Sequence, residues 1–319
     1  MTNPSDDPFD RDPGPPAGEP VALEPGIRRL TCPNPSPMTF TGTQTYVIGT
    51  GDVALVDPGP EVSAHREAIL NLLAPDERVA WIVVTHTHVD HSPGVAALKA
   101  ATGAKTAGFG RHGTGMSARM RALEASNPDL GGGEGADRAF VPDVTLADGE
   151  ALEGAGWRLT ALHTPGHLSN HLSFAVEGDG IAPGAVLSGD HVMAWATTTV
   201  SPPDGDMAAF LQSLRRLQGR GDRVFYPGHG APVRDPEAMI AYQLAHREAR
   251  ARQVREALER SGPDGATPME LTRRIYDDVD PALHGAASRN VLSALLGMLD
   301  EGGAAHDGPL GPAARFRAA

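Results

Sequence analysis

The segment from Thr85 to Gly94, THTHVDHSPG, places three histidines and an aspartate within six positions, directly after the apolar run WIVV. Residues two apart in an extended chain point to the same side, so His86 and His88 can present two imidazoles to one cation. Asp90 and His91 follow where the chain turns, and they can face a second cation. Imidazole and carboxylate groups at this spacing predict a metal site with two ions.

Three further candidate ligands each follow a β-rich run. They are His167 in HTPGH, Asp190 in LSGD and His229 in YPGHG. Strand ends at one edge of a sheet can converge although the strands are far apart in sequence. Seven residues give two ions four protein ligands each if one carboxylate bridges. Asp190 is the expected bridge, because a carboxylate offers one oxygen to each ion and a neutral imidazole cannot.

Composition limits the classes of protein that this sequence can encode. With 319 residues, 40% of them hydrophobic, the chain can bury a large core and form one large domain plus a small one. Cys32 is the single cysteine, so any metal must be held by histidines and carboxylates. We find no apolar run long enough for a membrane span and no signal-peptide pattern at the start, and we expect a cytoplasmic protein with no membrane partner. The net charge of −13 would ordinarily argue against nucleic acid as a partner, but the distribution of charge matters more than its sum.

The order of local patterns predicts an α/β layered protein. Short β-rich runs such as VALVD, AWIVVT and RVFYP alternate with helical patterns and with Gly and Pro punctuation. Residues 1–20 are rich in Pro and Asp and are predicted to be disordered. Residues 21–245 are predicted to form the catalytic domain, and the Gly-rich stretch 127–143 is predicted to be a surface loop. Residues 246–319 are predicted to form a separate small domain.

The C-terminal region has a helical pattern. Residues 236–261 read as one long helix, and Thr267-Pro268-Met269-Glu270 has the capping-box pattern that starts another. SRNVLSALLGMLDEGG predicts a further helix that ends at a glycine pair, and AAHDGPLGPAARF predicts a short hairpin. Three helices and a small wing suggest a winged-helix-like domain, a unit that serves either nucleic-acid binding or packing. Four arginines fit a solvated helix face with glutamate partners or a phosphate-binding stripe: Arg247, Arg250, Arg252 and Arg255.

The motifs THTHVDH, HTPGH, SGD and PGH, with VDPG upstream, together resemble the metallo-β-lactamase superfamily over roughly residues 40–235. The resemblance implies an αββα sandwich with the metals at one edge. It gives Asp57 the role of a carboxylate that orients one of the metal ligands. It also assigns His86, His88 and His167 to one metal, Asp90, His91 and His229 to the other, and Asp190 to both.

Details of the motifs narrow the resemblance to two branches. Zinc β-lactamases generally lack the bridging aspartate, and flavodiiron proteins have a glutamate at the position of His88. RNA 3′-end processing nucleases insert a large domain before their final motifs, whereas only 38 residues lie between Asp190 and His229 here. Thioester and lactone hydrolases similar to glyoxalase II, and compact endoribonucleases, remain. The stretch CPNPSPMTFTGTQTYVIG and the helical C-terminal part resemble the β-lactamase-like protein 2 group, which implies cleavage of single-stranded RNA.

The predicted function is therefore that of a dinuclear metal-dependent hydrolase. We expect a metal-bound hydroxide to attack a phosphodiester of single-stranded RNA, with Asp90 or Asp190 accepting the proton. The alternative is a glyoxalase II-like hydrolase of small thioesters or lactones, which the acidic charge favours, and a third hypothesis is a metal-stabilised regulator without turnover. Two divalent ions are implied, with zinc favoured and manganese or iron compatible with the same ligands. A homodimer is left open.

The sequence predicts other roles for several residues near the predicted ligands. His163 is predicted to be structural and His171 to anchor a strand, whereas the role of His191 is left open. The hydroxyls of residues 197–199 either contact a substrate phosphate or cap the following helix. We expect residues 246–319 to pack beside the metals and to form one wall of the substrate groove, because the long helix leaves only six residues after His229.

Overall fold

The computed structural model describes residues 7–128, 130, 135–278, 280–281 and 284–319. In these residues two β-sheets pack face to face between two layers of helices, and a small helical domain follows. The strands are β1 Val21–Glu24, β2 Ile27–Thr31, β3 Gln44–Ile48, β4 Asp52–Val56, β5 Arg78–Val83, β6 Lys105–Gly108, β7 Val144–Thr145, β8 Ala151–Gly154, β9 Trp157–His163, β10 Leu172–Gly178, β11 Ala185–Gly189, β12 Val224–Pro227, β13 Ala304–Asp307 and β14 Arg315–Ala318. The helices are α1 Ser63–Leu72, α2 Val95–Thr102, α3 Ala118–Ser126, α4 Met207–Leu217, α5 Pro236–Glu259, α6 Pro268–Ile275 and α7 His284–Asp300.

The first sheet contains seven strands in the order β1 to β7. Neighbouring strands are antiparallel from β1 to β4 and parallel from β4 to β7. The residues of β3 are all buried, as are those of β4 after its first position, because sheet and helix layers cover both faces. Runs such as QTYVI and VALV therefore lack the alternation of a strand with one wet face.

The second sheet has the order β12-β11-β10-β9-β8. Strands β8 to β11 are antiparallel, and β12 joins β11 in parallel. The main core lies between the two sheets, where Ile48 and Val56 of the first sheet share one apolar cluster with Leu159, Phe174 and Leu187 of the second. The predicted αββα sandwich is confirmed.

Helices cover the outer face of each sheet. Ile69 of α1 packs with Leu55 on the first sheet, and Phe210 of α4 and Ile240 of α5 pack with Phe225 on the second. The cap of α4 is Asp206, whose carboxylate accepts hydrogen bonds from two backbone N–H groups of the first turn. Among the described residues, no helix has the length and apolar content that a bilayer crossing requires.

The C-terminal region forms the predicted helices and wing. Helix α5 begins after the capping residue Asp235, and α6 has the full capping box between Thr267 and Glu270. Helix α7 ends just before the glycine pair, and β13 and β14 form the antiparallel hairpin. The winged-helix arrangement is confirmed.

The C-terminal helices share a core with α3 of the preceding domain. Met120 and Leu123 of α3 belong to the same apolar cluster as Val254 and Leu258 of α5 and Leu295 of α7. The predicted boundary between residues 245 and 246 falls inside α5, so one continuous helix contributes to the cores of both regions. The two regions are therefore joined by packing as well as by the chain.

Several contacts attach the N-terminal segment to the fold, and two of them lie near its start. Residues 1–6 of the stretch predicted to be disordered lie outside the described residues, and residues 7–20 form neither helix nor strand. The Phe9 ring meets the Tyr242 ring edge-on at 5.4 Å, and the Asp10 N–H donates to the Ala194 carbonyl oxygen at 2.9 Å. The start of the described chain thus lies against α5.

Candidate metal centre and the cavity beside it

All seven predicted ligands lie just beyond the carboxyl ends of four strands. The segment from His86 to His91 follows β5, His167 follows β9, Asp190 follows β11 directly and His229 follows β12. Strand β5 belongs to the first sheet and the other three to the second, and the ends of all four strands meet at one edge of the sandwich. The seven side chains form two adjacent buried groups there.

The first group contains three imidazoles and one carboxylate. One donor atom from each of His86, His88, His167 and Asp190 lies within 4.8 Å of the others. The Nδ1 atom of His88 lies 3.0 Å from His86 Nε2 and 2.9 Å from His167 Nε2. Asp190 Oδ2 completes the group at 3.6 Å from His167 Nε2. Three nitrogens and one oxygen converging in this way suit a four-coordinate divalent ion.

The second group contains Asp90, His91 and His229. Asp90 Oδ2 lies 3.4 Å from His91 Nε2 and 3.2 Å from His229 Nε2. Asp190 borders this group too, with Oδ1 3.5 Å from His91 Nε2 and Oδ2 3.3 Å from His229 Nε2. Asp190 therefore lies between the two groups, as a bridging carboxylate must.

The remaining ring nitrogens are held by the surrounding fold. Each of four imidazoles uses Nδ1 for a contact away from the centre and turns Nε2 toward it, an arrangement that fixes ligand orientation in metal sites. The contacts are His86 to Thr85 Oγ1 (3.0 Å), His91 to Asp57 Oδ2 (3.0 Å), His167 to the Thr199 carbonyl oxygen (2.7 Å) and His229 to the Gly42 carbonyl oxygen (3.1 Å).

Two buried carboxylate oxygens at the centre indicate that the site fits cations. The Oδ1 atoms of Asp90 and Asp190 have no hydrogen-bond partner among the described residues. A buried carboxylate oxygen without a partner is costly, and a divalent ion removes that cost. The donor set of imidazoles and carboxylates is also one that transition metals take. The residues present therefore fit two ions.

Asp57 supports the centre from behind. Its carboxylate accepts hydrogen bonds from the Thr85 N–H (2.7 Å) and the Thr85 hydroxyl (2.6 Å), and it faces His91 Nδ1. The backbone of Asp57 has a φ of 52°, a left-handed conformation that aspartate tolerates better than most residues. The structure places this side chain where the motif VDPG led us to expect an orienting carboxylate.

Charge at the centre is strongly coupled. Burial raises the pKa of Asp90, but the rings of His91 and His229 beside it outweigh burial and hold the pKa well below its ordinary value. Burial favours neutral His229, yet the Asp190 and Asp90 carboxylates raise its pKa to about 10. The ionised carboxylates thus draw positive charge into the site. Cations binding there would displace protons from these rings.

A small cavity opens beside the first group. It has a volume of about 160 Å³, and His88 and His167 form part of its wall. Arg138 also lines it, paired with Glu124 at 2.9 Å. Gly135 and its neighbours contribute from the stretch predicted to be a surface loop, of which residues 129 and 131–134 lie outside the described residues. A substrate group entering this cavity would contact the centre.

His112 and Asp204 form a pair in the wall of the cavity that the sequence did not reveal. His112 Nδ1 lies 3.2 Å from Asp204 Oδ2, and the other oxygen of Asp204 accepts a hydrogen bond from the Ser169 N–H. Burial lowers the pKa of His112, although Asp204 opposes this effect. A signal was available, because His112 follows the end of β6, which is parallel to β5 at the same edge.

The neighbouring residues His163, His171 and His191 lie outside both groups. The Nδ1 atom of His171 pairs with the Thr164 hydroxyl at 2.9 Å, and its Nε2 accepts a hydrogen bond from the Asp190 N–H at 3.1 Å. His163 Nε2 donates to the Ser169 carbonyl oxygen at 3.0 Å. His191 is buried, and neither ring nitrogen has a partner among the described residues. His171 thus supports the backbone of a ligand, as its assignment to a strand anchor implied.

The segment 197–199 positions the ligands. The Thr198 hydroxyl donates to the Asp190 carbonyl oxygen at 2.8 Å, and the Thr199 carbonyl oxygen holds the His167 ring. The prediction that these threonines cap the next helix is wrong, because Asp206 caps α4. Arg247 of α5 donates to the Thr198 carbonyl oxygen from the other side.

The C-terminal domain does not wall this cavity directly. The residues that line the cavity lie between positions 38 and 204, within the part of the chain that the structure describes. The domain acts through α3 instead, because the Asn127 amide donates to the Leu310 carbonyl oxygen at 3.0 Å and Asn127 lines the cavity. That residues 246–319 form a wall of the substrate groove stays a prediction.

Two packed sheets between helices, with histidines and aspartates grouped at one edge, define a metalloenzyme of the metallo-β-lactamase fold. Comparison with protein families agrees: residues 38–229 match the model of the metallo-beta-lactamase superfamily, and residues 267–311 match the beta-lactamase associated winged helix domain. The chain belongs to the metallo-beta-lactamase superfamily. It is an enzyme, a metal-dependent hydrolase.

Known proteins similar to this chain include fungal enzymes. One relative, "Atrochrysone carboxyl ACP thioesterase" of Aspergillus fumigatus, is 28% identical over 87% of this chain and 75% of its own length. A protein of the same name from Passalora fulva is 30% identical over 80% of this chain and 69% of its own length. A crystal structure of a metallo-beta-lactamase family protein from Thermus thermophilus has a TM-score of 0.71 and 28% identity, covering 93% of this chain and all of that one.

Proposed function

We propose that this protein hydrolyses an acyl thioester. The cavity beside the metal centre carries this proposal, because its volume of about 160 Å³ suits a small acyl group or an extended thioester arm. Drug-sized ligands occupy larger clefts of about 300–1,000 Å³, so this cavity fits the end of a substrate rather than a molecule of that size. The names of the fungal relatives as thioesterases support the same chemistry.

The charge of the cavity favours a thioester over RNA. Arg138 is the one lysine or arginine among the described residues that line it, and Glu124 neutralises that charge. A strand of RNA brings a phosphate with each nucleotide and needs unpaired cations beside the cut. A thioester carbonyl is neutral and has no such requirement.

We assign the seven side chains to two metal ions. His86, His88 and His167 would hold one ion, and Asp190 would contribute to both. Asp90, His91 and His229 would hold the other. Such ions supply an ionised water at neutral pH and neutralise the charge that develops on a carbonyl oxygen. Zinc is the metal that we propose, since imidazole-rich sites suit it, and manganese or iron fits the same ligands.

The residues of the chain would orient the reaction and move its proton. We assign to Asp90 the acceptance of a proton from an attacking water, because its carboxylate lies at the centre beside His91 and His229. Asp190 holds the two groups together, and its position depends on His171 and Thr198. His112 lies beside Asp204 in the wall of the cavity, where it could donate a proton to the departing group.

Two finer predictions stay predictions: the cytoplasmic location and the division of the chain at residues 20 and 245. The homodimer stays open. Cleavage of single-stranded RNA, as the β-lactamase-like protein 2 resemblance implies, is the alternative to our proposal. Hydrolysis of lactones belongs with the thioester proposal, because attack on a lactone carbonyl uses the same centre. The following assay separates these chemistries.

Metal-loaded protein would be incubated in parallel with an acyl pantetheine thioester, a lactone panel and a fluorescent single-stranded RNA. Asp190→Ala would serve as the blank, since it removes the residue between the two groups. We expect thioester turnover that is lost in the blank, with the RNA left intact. RNA cleavage by the wild type alone, with no thioester turnover, would establish the other chemistry and overturn our proposal.

A further inference from the structure

A second and larger cavity lies between α4, α5 and α7, and we call it the helical groove. Its volume is about 1,030 Å³, and it follows α5 from Leu244 to Arg255. That stretch is about 16 Å long, or three helical turns. Small and apolar side chains line much of the groove, among them Met207, Leu211, Ala251 and Ala294. Its shape and length suit another helix with an apolar face.

The groove carries positive charge in a protein that is acidic as a whole. Each of its three acidic side chains has an arginine partner: Glu248 pairs with Arg252, Glu301 with Arg255, and Asp300 with Arg119. Three further arginines that line the groove, Arg215, Arg247 and Arg250, have no carboxylate partner among the described residues. The net charge of the whole chain is −13, so this group of arginines without carboxylate partners makes the groove positive in an acidic protein.

Buried polar atoms also point to an occupant of the groove. The Nε atom of Arg247 and the Nδ1 atom of His246 are buried, and neither has a hydrogen-bond partner among the described residues. Burial together with the charges of Arg247 and Arg250 lowers the pKa of His246 to about 4, so its ring is neutral near pH 7. An acidic group entering the groove would find the Arg247 cation already in place.

The groove and the metal cavity share one wall. Thr197 and Met207 line the groove, whereas Thr199 and Ser201 line the cavity beside the centre. The same segment is anchored to the ligands His167 and Asp190 through Thr199 and Thr198, as described above. The groove and the cavity therefore lie on either side of one short segment, which an arm attached to an occupant of the groove would cross to reach the metals.

We propose that the helical groove docks an acidic amphipathic helix of a protein that carries the acyl thioester on a flexible arm. This inference rests on the proposed function. The apolar face of such a helix would pack on the small residues of the groove, and its carboxylates would meet Arg215, Arg247 and Arg250. Complementary charge of this kind steers association and weakens with salt.

The test compares one acyl group on two carriers. Butyryl thioesters would be prepared on a purified acidic acyl carrier protein and on free pantetheine, which lacks the protein. The variant Arg215→Glu/Arg250→Glu reverses two exposed charges of the groove and leaves Arg247 in place. The control Arg234→Glu/Arg273→Glu changes the net charge equally at two exposed arginines outside the groove. Circular dichroism would verify that both variants are folded.

In the groove variant, we expect kcat/KM for the carrier-protein thioester to fall at least tenfold more than kcat/KM for the pantetheine thioester. The loss should appear in KM. The dependence of kcat/KM on salt concentration for the carrier-protein thioester should also become weaker. The control should keep this ratio within twofold. An unchanged ratio in the groove variant would overturn the docking site. Equal loss in both double variants would also overturn it, because a general charge effect would then suffice.

Binding measurements keep this test separate from the proposed function. If the wild type hydrolyses neither thioester, the proposed function fails, and fluorescence anisotropy with labelled carrier protein still tests the groove. Carrier binding that only the groove variant loses supports docking. If the groove variant lost binding of single-stranded RNA but kept binding of the carrier protein, the groove would be a nucleic-acid site. If sedimentation showed that the wild type is a dimer and the groove variant a monomer, the groove would bind a second copy of the chain. Either result overturns the proposal.

Discussion

Gly228→Ala tests whether the second ligand group is as tightly built as the geometry indicates. Gly228 precedes the ligand His229, and a Cβ atom at this position would lie 2.3 Å from Asp190 Oδ1 and 2.7 Å from His91 Cε1. The backbone of Gly228 does not have a positive φ, so alanine is not strained by its own conformation. Any effect must come from the methyl group pressing on the centre.

The size of the effect follows from the contact distance. Carbon and oxygen atoms approach to about 3.3 Å without strain, so the Asp190 carboxylate must retreat by about 1 Å. A displacement of about 1 Å in a catalytic centre costs on the order of 100-fold in rate. That loss corresponds to about 2.7 kcal/mol of transition-state stabilisation. We expect kcat/KM to fall by this amount and bound metal to decrease below two equivalents.

The assay combines metal analysis by mass spectrometry, thermal unfolding and thioester turnover. Gly285→Ala is the matched control, because Gly285 lies in α7 and its added Cβ would have nothing within 4 Å. Gly285 is the second residue of α7, where alanine fits the helix at least as well as glycine, so this control should be active and as stable as wild type. If Gly228→Ala retained two metal equivalents and kcat/KM within twofold of wild type, the described packing around Asp190 would be wrong.

Three further outcomes are expected. His88→Ala should lose at least one of two metal equivalents and remain folded, whereas unchanged metal content would contradict its assignment as a ligand. Chelation should lower the melting temperature together with turnover, because ions that bind only the folded state stabilise it, and an unaltered melting temperature would count against two buried ions. Burial lowers the pKa of His65 to about 4 from 6.5, so the unfolded chain binds more protons between these values. Folded stability should therefore fall by up to about 3 kcal/mol as pH drops from 6.5 to 4, and chemical denaturation should show a flatter pH profile in His65→Leu.

The ligand positions were predictable because their signal is local. Donor residues stand at the ends of β-rich runs, and strand ends of a parallel pair meet at one edge whatever the length of chain between them. The capping box of Thr267 and Glu270 was readable for the same reason, since both partners lie within four residues. Neither inference required knowledge of how distant elements pack.

Features that depend on packing between distant elements were not predictable. The position of His112 after β6 was a signal that it lies at this edge, but its pairing with Asp204 had none, because 91 residues lie between the two. Arg247 looked like one of four equivalent arginines on a helix face, yet it reaches into the fold while Arg252 pairs with Glu248 along the helix. Helical spacing places residues on a face but does not say which element covers that face.

The continuity of α5 has a consequence for how this chain can change in length. Its first turns pack on the second sheet and its last turns on α7, so the helix sets the angle between the metal edge and the C-terminal helices. One residue inserted midway would rotate everything beyond it by about 100° and advance it by about 1.5 Å. The helical groove would then face a different direction from the cavity that it adjoins. Insertions of about seven or eleven residues nearly restore the angle, but they displace the groove by two or three turns. The length of α5 between its two packed ends thus determines where the groove lies relative to the metal edge.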